Sequence, residues 1–378
     1  MATITPIEFR RHLHRYPELS FEEVATQRYI SSALTSLGIE HRPIATTGVL
    51  AKLEGRGDLS RAVVLRADID ALPVVEATEL PYSSQNEGVM HACGHDIHAA
   101  ILYGTLARLA ERGDFEGTIF GIFQPGEERN PGGASYVLAE EPFEGYDVRA
   151  VVGQHVEGQF EVGRLGFRSG KYMASSDEIR FYVRGTGGHG AMRHKIKDPV
   201  QAACAYLVEL VALNKEDLVL SIGKVVADGA TNVIPDSVYL EGTMRTFDEG
   251  ERVATKVRIA EIAREIESRY DGITIEIDIS HGFPCVVNDD TLTQLAIAEA
   301  ATTYEVEALE LRTTSEDFGF YTTRYPSLFY RLGAGVERGV ANSVGAPHTS
   351  TFCPSEGAIN IGIDFMSRMA IKIANNEK

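Results

Sequence analysis

The chain has no apolar run of about 18 or more residues, which excludes a membrane-spanning helix. Its opening residues, Met1-Ala2-Thr3-Ile4-Thr5-Pro6, lack the basic-then-apolar order of a secretory leader. Four cysteines (Cys93, Cys204, Cys285, Cys353) lie scattered without framework spacing. That excludes a disulfide scaffold and fits a reducing compartment. These three absences make the cytoplasm the expected location. Positive charge is also short: 36 Lys and Arg face 54 Asp and Glu, a formal net charge of −18. A phosphate backbone would be repelled, so nucleic acid is not an expected partner. No low-complexity segment or internal repeat is present.

What remains is the composition of a globular protein, 44% hydrophobic and 24% charged over 378 residues, long enough for two domains. The densest chemistry is His91-Ala92-Cys93-Gly94-His95-Asp96-Ile97-His98, between an apolar strand and an apolar helix. Cys93 and His95 flank a glycine, so one loop can turn thiolate and imidazole toward a point, and borderline metals such as zinc take both ligands. Alone, the stretch reads equally as a polar helix start with a buried cysteine.

The chain in order supplies further donors. Ile7 to Tyr16 reads as a short amphipathic helix stopped by Pro17, with His14 on its surface. Ser20 reads as the cap of a second helix running to about Leu37. Gly48 to Glu54 and the mostly apolar Ala62 to Ala67 (Ala-Val-Val-Leu-Arg-Ala) read as strands, the second buried on both faces. That strand runs into Asp68-Ile69-Asp70, and Thr118 to Phe123 runs into Gln124-Pro125-Gly126-Glu127-Glu128. Ala150 to Gly153 delivers Gln154-His155. Polar residues at the carboxyl ends of buried strands lie where open α/β sheets place their sites. Each pair taken singly also reads as turn or solvated loop charge.

Strand–helix–strand order predicts an α/β catalytic domain with a mixed, mainly parallel sheet over 1–168 and 282–378. Between them, 169–281 shows the order βαββαβ, which matches an inserted ferredoxin-like α+β domain. It carries Gly187-Gly188-His189-Gly190, Asn232 and Arg245. Glu316-Asp317-Phe318 and Ala346-Pro347-His348-Thr349 follow in the returning segment.

Together, the runs His12 to Ser20, Arg66 to Pro73, His91 to His98, Gln124 to Glu128, Gly187 to His194, Gly242 to Phe247 and Glu316 to Phe318 resemble one family. It is the amidohydrolase branch of the dinuclear M20 metallopeptidases, which contains aminoacylases, hippurate hydrolases and auxin–amino-acid conjugate hydrolases. The resemblance covers nearly the whole chain. It implies two divalent ions per chain (zinc or manganese, with cobalt possible), held by Cys93 as the bridge with His95, Glu128, His155 and His348. It implies Glu127 as the general base, which returns its proton to the leaving amine. Asp70 and Asp68 stand behind the ligands as supporting carboxylates, Asp68 where other branches carry a histidine. His189 would stabilise the oxyanion from a lid and dimerisation domain, within its chain or across the interface of a homodimer or higher homo-oligomer. Asn232 and Arg245 would hold the substrate carboxylate. Gly126, Gln154 and Arg193 depart from the usual residues, the last two with consequences for substrate preference.

The implied activity is hydrolysis of the amide bond of N-acyl amino acids or small amino-acid conjugates. Dipeptide cleavage by a dipeptidase or carboxypeptidase, and deacetylation of N-acetyl-diaminopimelate, use the same chemistry. A non-catalytic metal-binding module would require a missing base or ligand, and none is missing.

Overall fold

The computed structural model describes residues 4–336 and 344–376, which divide into two compact units. The first comprises the chain up to Gly170, Val287–Glu310 and the segment from Asp317 onward. Its sheet is built from β1 (Glu40–Ile44), β2 (Gly48–Glu54), β3 (Arg61–Asp68), β4 (Thr118–Gln124), β5 (Asp147–Glu157) and β6 (Arg164–Phe167), joined by Glu305–Ala308 and Ser327–Gly333. The order across the sheet is β1, β2, β4, β3, β5, Ser327–Gly333, β6, Glu305–Ala308. The central strands β4, β3, β5 and Ser327–Gly333 run parallel, while β1–β2, β2–β4 and Ser327–Gly333 with β6 are antiparallel. The sheet is therefore mixed and parallel at its centre, and the parallel strands are the continuously buried ones.

The sequence reading missed β1, β6 and Glu305–Ala308. Two of these are the sheet's edges, and Glu40-His41-Arg42-Pro43 and Glu305-Val306-Glu307 carry the charges and the proline that suit an unpaired edge. Such strands offer no long apolar run to read.

Three helices matter for the site. The first, α1 (Pro6–Arg15), starts at a Thr5–Glu8 capping box, and α2 covers Val24–Ser36. The third, α3 (His95–Arg112), is buried from His95 to Leu106 between the sheet, α1 and the closing helix Gly357–Asn375. Phe9 of α1 stacks on Tyr103 of α3 at 4.4 Å.

Two readings of this region need correction. His14 is not a surface group. It is 1% exposed and lies between Asp96 and Glu76. Nor does Ser20 cap α2. Its hydroxyl donates to Asp70 Oδ2 at 2.7 Å, and the helix begins only at Val24, past the expected first turn.

The second unit comprises Lys171–Val286 and Leu311–Glu316. Its antiparallel sheet has the order Leu218–Val226, Ser237–Thr246, Asp177–Arg184, Thr274–Ile279. Helices Pro199–Val211 and Glu249–Arg269 close over Ile179, Phe181, Val183, Leu220 and Leu240. Leu311–Glu316 packs here through Arg312, whose carbonyl accepts from Ala174 N at 3.0 Å. The sequence reading had assigned that segment to the first domain. Among the described residues no helix is long and apolar enough to cross a membrane.

Candidate metal centre

The site of the first unit lies at the carboxyl ends of the central strands. Asp68 ends β3, Gln124 ends β4 just before Glu127 and Glu128, and His155 stands near the end of β5. The loop before α3 adds Cys93 and His95. Gly94 between them takes φ +85°, and a Cβ there would fall 2.6 Å from Val156 Cγ2. Only glycine gives this turn, which aims the thiol and the imidazole to one side. His348 joins from a late loop, itself at φ +65°, with its N–H donating to Ala92 O at 2.8 Å.

Ligand-type atoms of Cys93, His95 and His155 lie within 4.8 Å of one another, and so do those of Cys93, Glu128 and His348. Cys93 is the member common to both groups. Cys93 Sγ is 3.3 Å from His155 Nε2, and His348 Nε2 is 3.3 Å from Glu128 Oε1. His95, Glu127 and Glu128 form a third such group.

The donors have the chemistry a cation needs. His95 Nε2 is buried with no hydrogen-bond partner, and Glu128 Oε1 is buried against the His348 ring. Orphaned buried polar atoms are rare and call for a ligand. His95 Nδ1 faces Asp70 O at 3.0 Å and Asp70 Oδ1 at 3.1 Å, so that nitrogen carries a proton. Burial lowers His95, but Asp68 and Cys93 raise it well above 6.5, so a cation at Nε2 would take the place of a second proton. His155 Nδ1 likewise donates to Val156 O at 2.7 Å and leaves Nε2 toward Cys93. A ligating histidine characteristically spends its second nitrogen this way. Burial and the Glu128 carboxylate push the Cys93 thiol up to about 12, so a thiolate here requires a cation beside it. Burial, with Arg331 adding to it, holds His155 well below the usual range, so its ring is neutral and free to ligate. These residues fit divalent ions.

Asp70 is the hub behind them. Its carboxylate accepts from His95, from Ser20 and, at 2.9 Å, from Glu128 N–H. Burial pushes Asp70 upward, but these bonds outweigh it and hold the carboxyl below its ordinary value. Asp68, fully buried, is pushed up by burial and brought well below the usual carboxylate range by His95, His98 and Arg66. Glu127 is buried beside Glu128.

Two departures find structural places. A Cβ on Gly126 would lie 2.4 Å from the Phe21 ring, which packs where alanine's methyl would stand. Gln154 is fully buried and accepts from Tyr330 OH at 2.7 Å, in a cluster with Phe167 and Phe365. Neighbours in a strand face opposite ways, so Gln154 turns from the side His155 serves.

His189, Asn232 and Arg245 lie in the second unit. His189 pairs with Val233 in a two-residue antiparallel ladder, and Gly190 N–H donates to Asn232 O at 2.9 Å, so that His189 and Asn232 lie side by side on neighbouring strands. Arg245 Nη1 donates to Thr313 O at 3.0 Å. Arg193 is exposed in a short 3₁₀ turn.

The sequence reading gave no role to Arg66 or His98, both fully buried here. Arg66 had a signal, a lone charge inside an apolar strand and on the same face as Asp68. His98 lies one helical turn after His95 and on the same side.

The chain matches Peptidase family M20/M25/M40 over residues 64–372. It is 38% identical to an N-acetyl-L-cysteine deacetylase of Bacillus subtilis over 86% of this chain and 80% of the relative. With an N-acetyldiaminopimelate deacetylase of Geobacillus thermodenitrificans it shares 35% identity over 97% of both. Among solved structures, a dinuclear metal binding peptidase of family M20 from Bacillus subtilis superposes with a TM-score of 0.84 at 34% identity, covering 98% of this chain and 97% of that one. The chain belongs to the M20 family.

Proposed function

We propose that this chain is a metal-dependent amidohydrolase that removes the acyl group from small N-acyl amino acids, with N-acetyl amino acids as its substrates. The observation that carries this reading is the pair of donor groups sharing Cys93, with Glu127 buried beside them. Cys93, His95, Glu128, His155 and His348 would hold two divalent ions, as in the dinuclear relative, and thiolate, imidazole and carboxylate together accept zinc, manganese or cobalt. When bound, such ions polarise a carbonyl and make water acidic enough to attack near neutral pH.

The chain's own groups do the rest. Glu127 takes the proton of the attacking water and returns it to the leaving amine nitrogen, base in one step and acid in the next. Asp70 holds Nδ1 of His95, and Asp68 Oδ2 lies 3.8 Å from Nε2 of the same ring. The second unit, ferredoxin-like in its βαββαβ order, serves as lid and dimerisation domain within a homo-oligomer. Its His189, flanked by glycines on a short strand, would donate to the developing oxyanion, and Asn232 and Arg245 would hold the substrate carboxylate. A soluble cytoplasmic setting suits an enzyme of small polar substrates.

The test is hydrolysis of N-acetyl and N-benzoyl amino acids and of dipeptides by zinc-, manganese- and cobalt-loaded protein. N-acetyl amino acids should be cleaved with the highest kcat/KM. Preference for dipeptides would replace deacylation by a peptidase reading. An inactive His189→Ala chain mixed with an inactive Glu127→Gln chain regains activity if His189 serves the partner subunit. No regain despite subunit exchange leaves donation within one chain.

A further inference from the structure

Arg66, Asp68, His98 and Asp317 stand outside the ligand set, yet they form one continuous buried chain of hydrogen bonds. Asp317 Oδ1 accepts from Arg66 Nη2 at 2.6 Å and from Gln124 Nε2 at 3.0 Å. Arg66 Nη1 donates to Asp68 Oδ2 at 2.7 Å, and Asp68 Oδ1 lies 2.6 Å from His98 Nδ1. At the far end, Val156 N–H donates to His98 Nε2 at 2.9 Å. A backbone N–H can only donate, so His98 Nε2 is an acceptor and the ring proton sits on Nδ1, given to Asp68. Both nitrogens of His98 are therefore spent. Although its ring lies in one group with Asp68 and His95, it has no lone pair left for an ion.

Val156 is gripped at both polar groups: its N–H by His98 and its C=O by the Nδ1–H of His155. We propose that His98 is a positioning residue of the centre. Held by Asp68, Arg66 and Asp317, it fixes Val156, and the carbonyl of Val156 in turn sets the His155 ring with Nε2 toward Cys93. The proposal rests on the reading of this cluster as a metal site. Groups in this layer around a metal typically contribute about 10- to 100-fold to its affinity.

The two amide isosteres of histidine separate this role from simple space-filling. In His98→Asn the amide N–H replaces Nδ1–H toward Asp68, but nothing accepts from Val156. In His98→Gln the amide oxygen reaches toward the place of Nε2 and restores that acceptor. Cobalt(II) affinity by chelator competition, the thiolate-to-cobalt absorption band and deuterium exchange at Val156 N–H are measured on the full chain. His98→Asn should bind cobalt about 10- to 100-fold more weakly, with a shifted band and faster exchange at Val156. His98→Gln should return all three toward the parent. Parent-like affinity and spectrum in folded His98→Asn would overturn the proposal. Should that chain not fold, His98→Gln decides alone, since a loss of about tenfold or more in its affinity overturns the role of the Val156 acceptor. A parent chain that bound cobalt without any thiolate band would bring down the metal reading, and the proposal with it.

Discussion

His14 and His95 belong to the same unit, and each has 1% of its surface exposed, yet their rings live in opposite circumstances. His14 gives Nδ1 to Asp96 at 2.9 Å and Nε2 to Glu76 at 3.1 Å. Both partners are carboxylates, so both nitrogens donate and the ring is an imidazolium. Burial alone would lower His14, but the bonds to Asp96 and Glu76 outweigh it and raise it above 6.5. His95 gives only Nδ1 away and leaves Nε2 buried without a partner. The difference separates a fully committed histidine from one with a nitrogen open to a ligand. It lies in what the second nitrogen does, not in burial or in how many histidines a stretch contains. His155 falls with His95, and His98 with His14.

The sharpest way to break this contrast is to remove the atom on which both donor groups depend. Cys93→Ala should cut the metal content of gently purified protein by more than one of the two expected ions, as read by elemental analysis, and abolish turnover. A variant that kept both ions would take Cys93 out of the centre. The same division into free and committed groups applies to the adjacent glutamates. Glu127→Gln should retain metal and lose on the order of a hundredfold or more in turnover, whereas Glu128→Gln should lose metal as well. Identical metal contents with identical kinetics would merge the two roles.

A third variant tests the partner rather than the ligand. Asp70→Asn leaves every proposed donor in place but weakens the acceptor that fixes His95. Metal affinity should fall about 10- to 100-fold by chelator competition. An unchanged affinity would mean that the Asp70 backbone carbonyl, 3.0 Å from the same nitrogen, is sufficient.

The fate of each histidine shows what the sequence could and could not carry. β3 was readable because Ala62 to Leu65 is an apolar run followed by only one charge before Asp68, and the ligand candidates because thiol, imidazole and carboxylate recur at strand ends. His14 was misread because its helix carries Glu8, Arg10, Arg11 and Arg15, the dress of a solvent-facing helix. Its true partners lie 82 and 62 residues away, a separation that no local pattern reports. Arg10 escaped for the same reason. Fully buried, it donates to Asp96 Oδ2 at 2.6 Å and to Tyr82 OH at 2.7 Å. Committed polar groups are legible only in three dimensions, because their partners are chosen by packing. Free ones announce themselves by residue type.

The smallest effect expected is on stability, and it probes whether His14 is charged. Glu76 is pushed up by burial but held at about 2 by His14, Ser84 N–H and Thr78. Its folded value lies below the ordinary 4.5, so its contribution is complete above about pH 4.5 and is lost as the pH falls toward about 2. His14 has the opposite sign. Raised in the folded state, it contributes fully below about pH 6.5 and loses that contribution as the pH climbs through its raised folded value. Both charges are therefore present between roughly pH 4.5 and 6.5, and that window is where the pair contributes most. Glu76→Gln keeps an acceptor for His14 but removes the charge, and should cost about 1.5–3 kcal/mol there. The difference between parent and variant in urea unfolding should shrink toward both acid and alkaline pH. A difference that stayed level from pH 3 to pH 9 would mean a neutral His14 ring, and the contrast with His95 would fall.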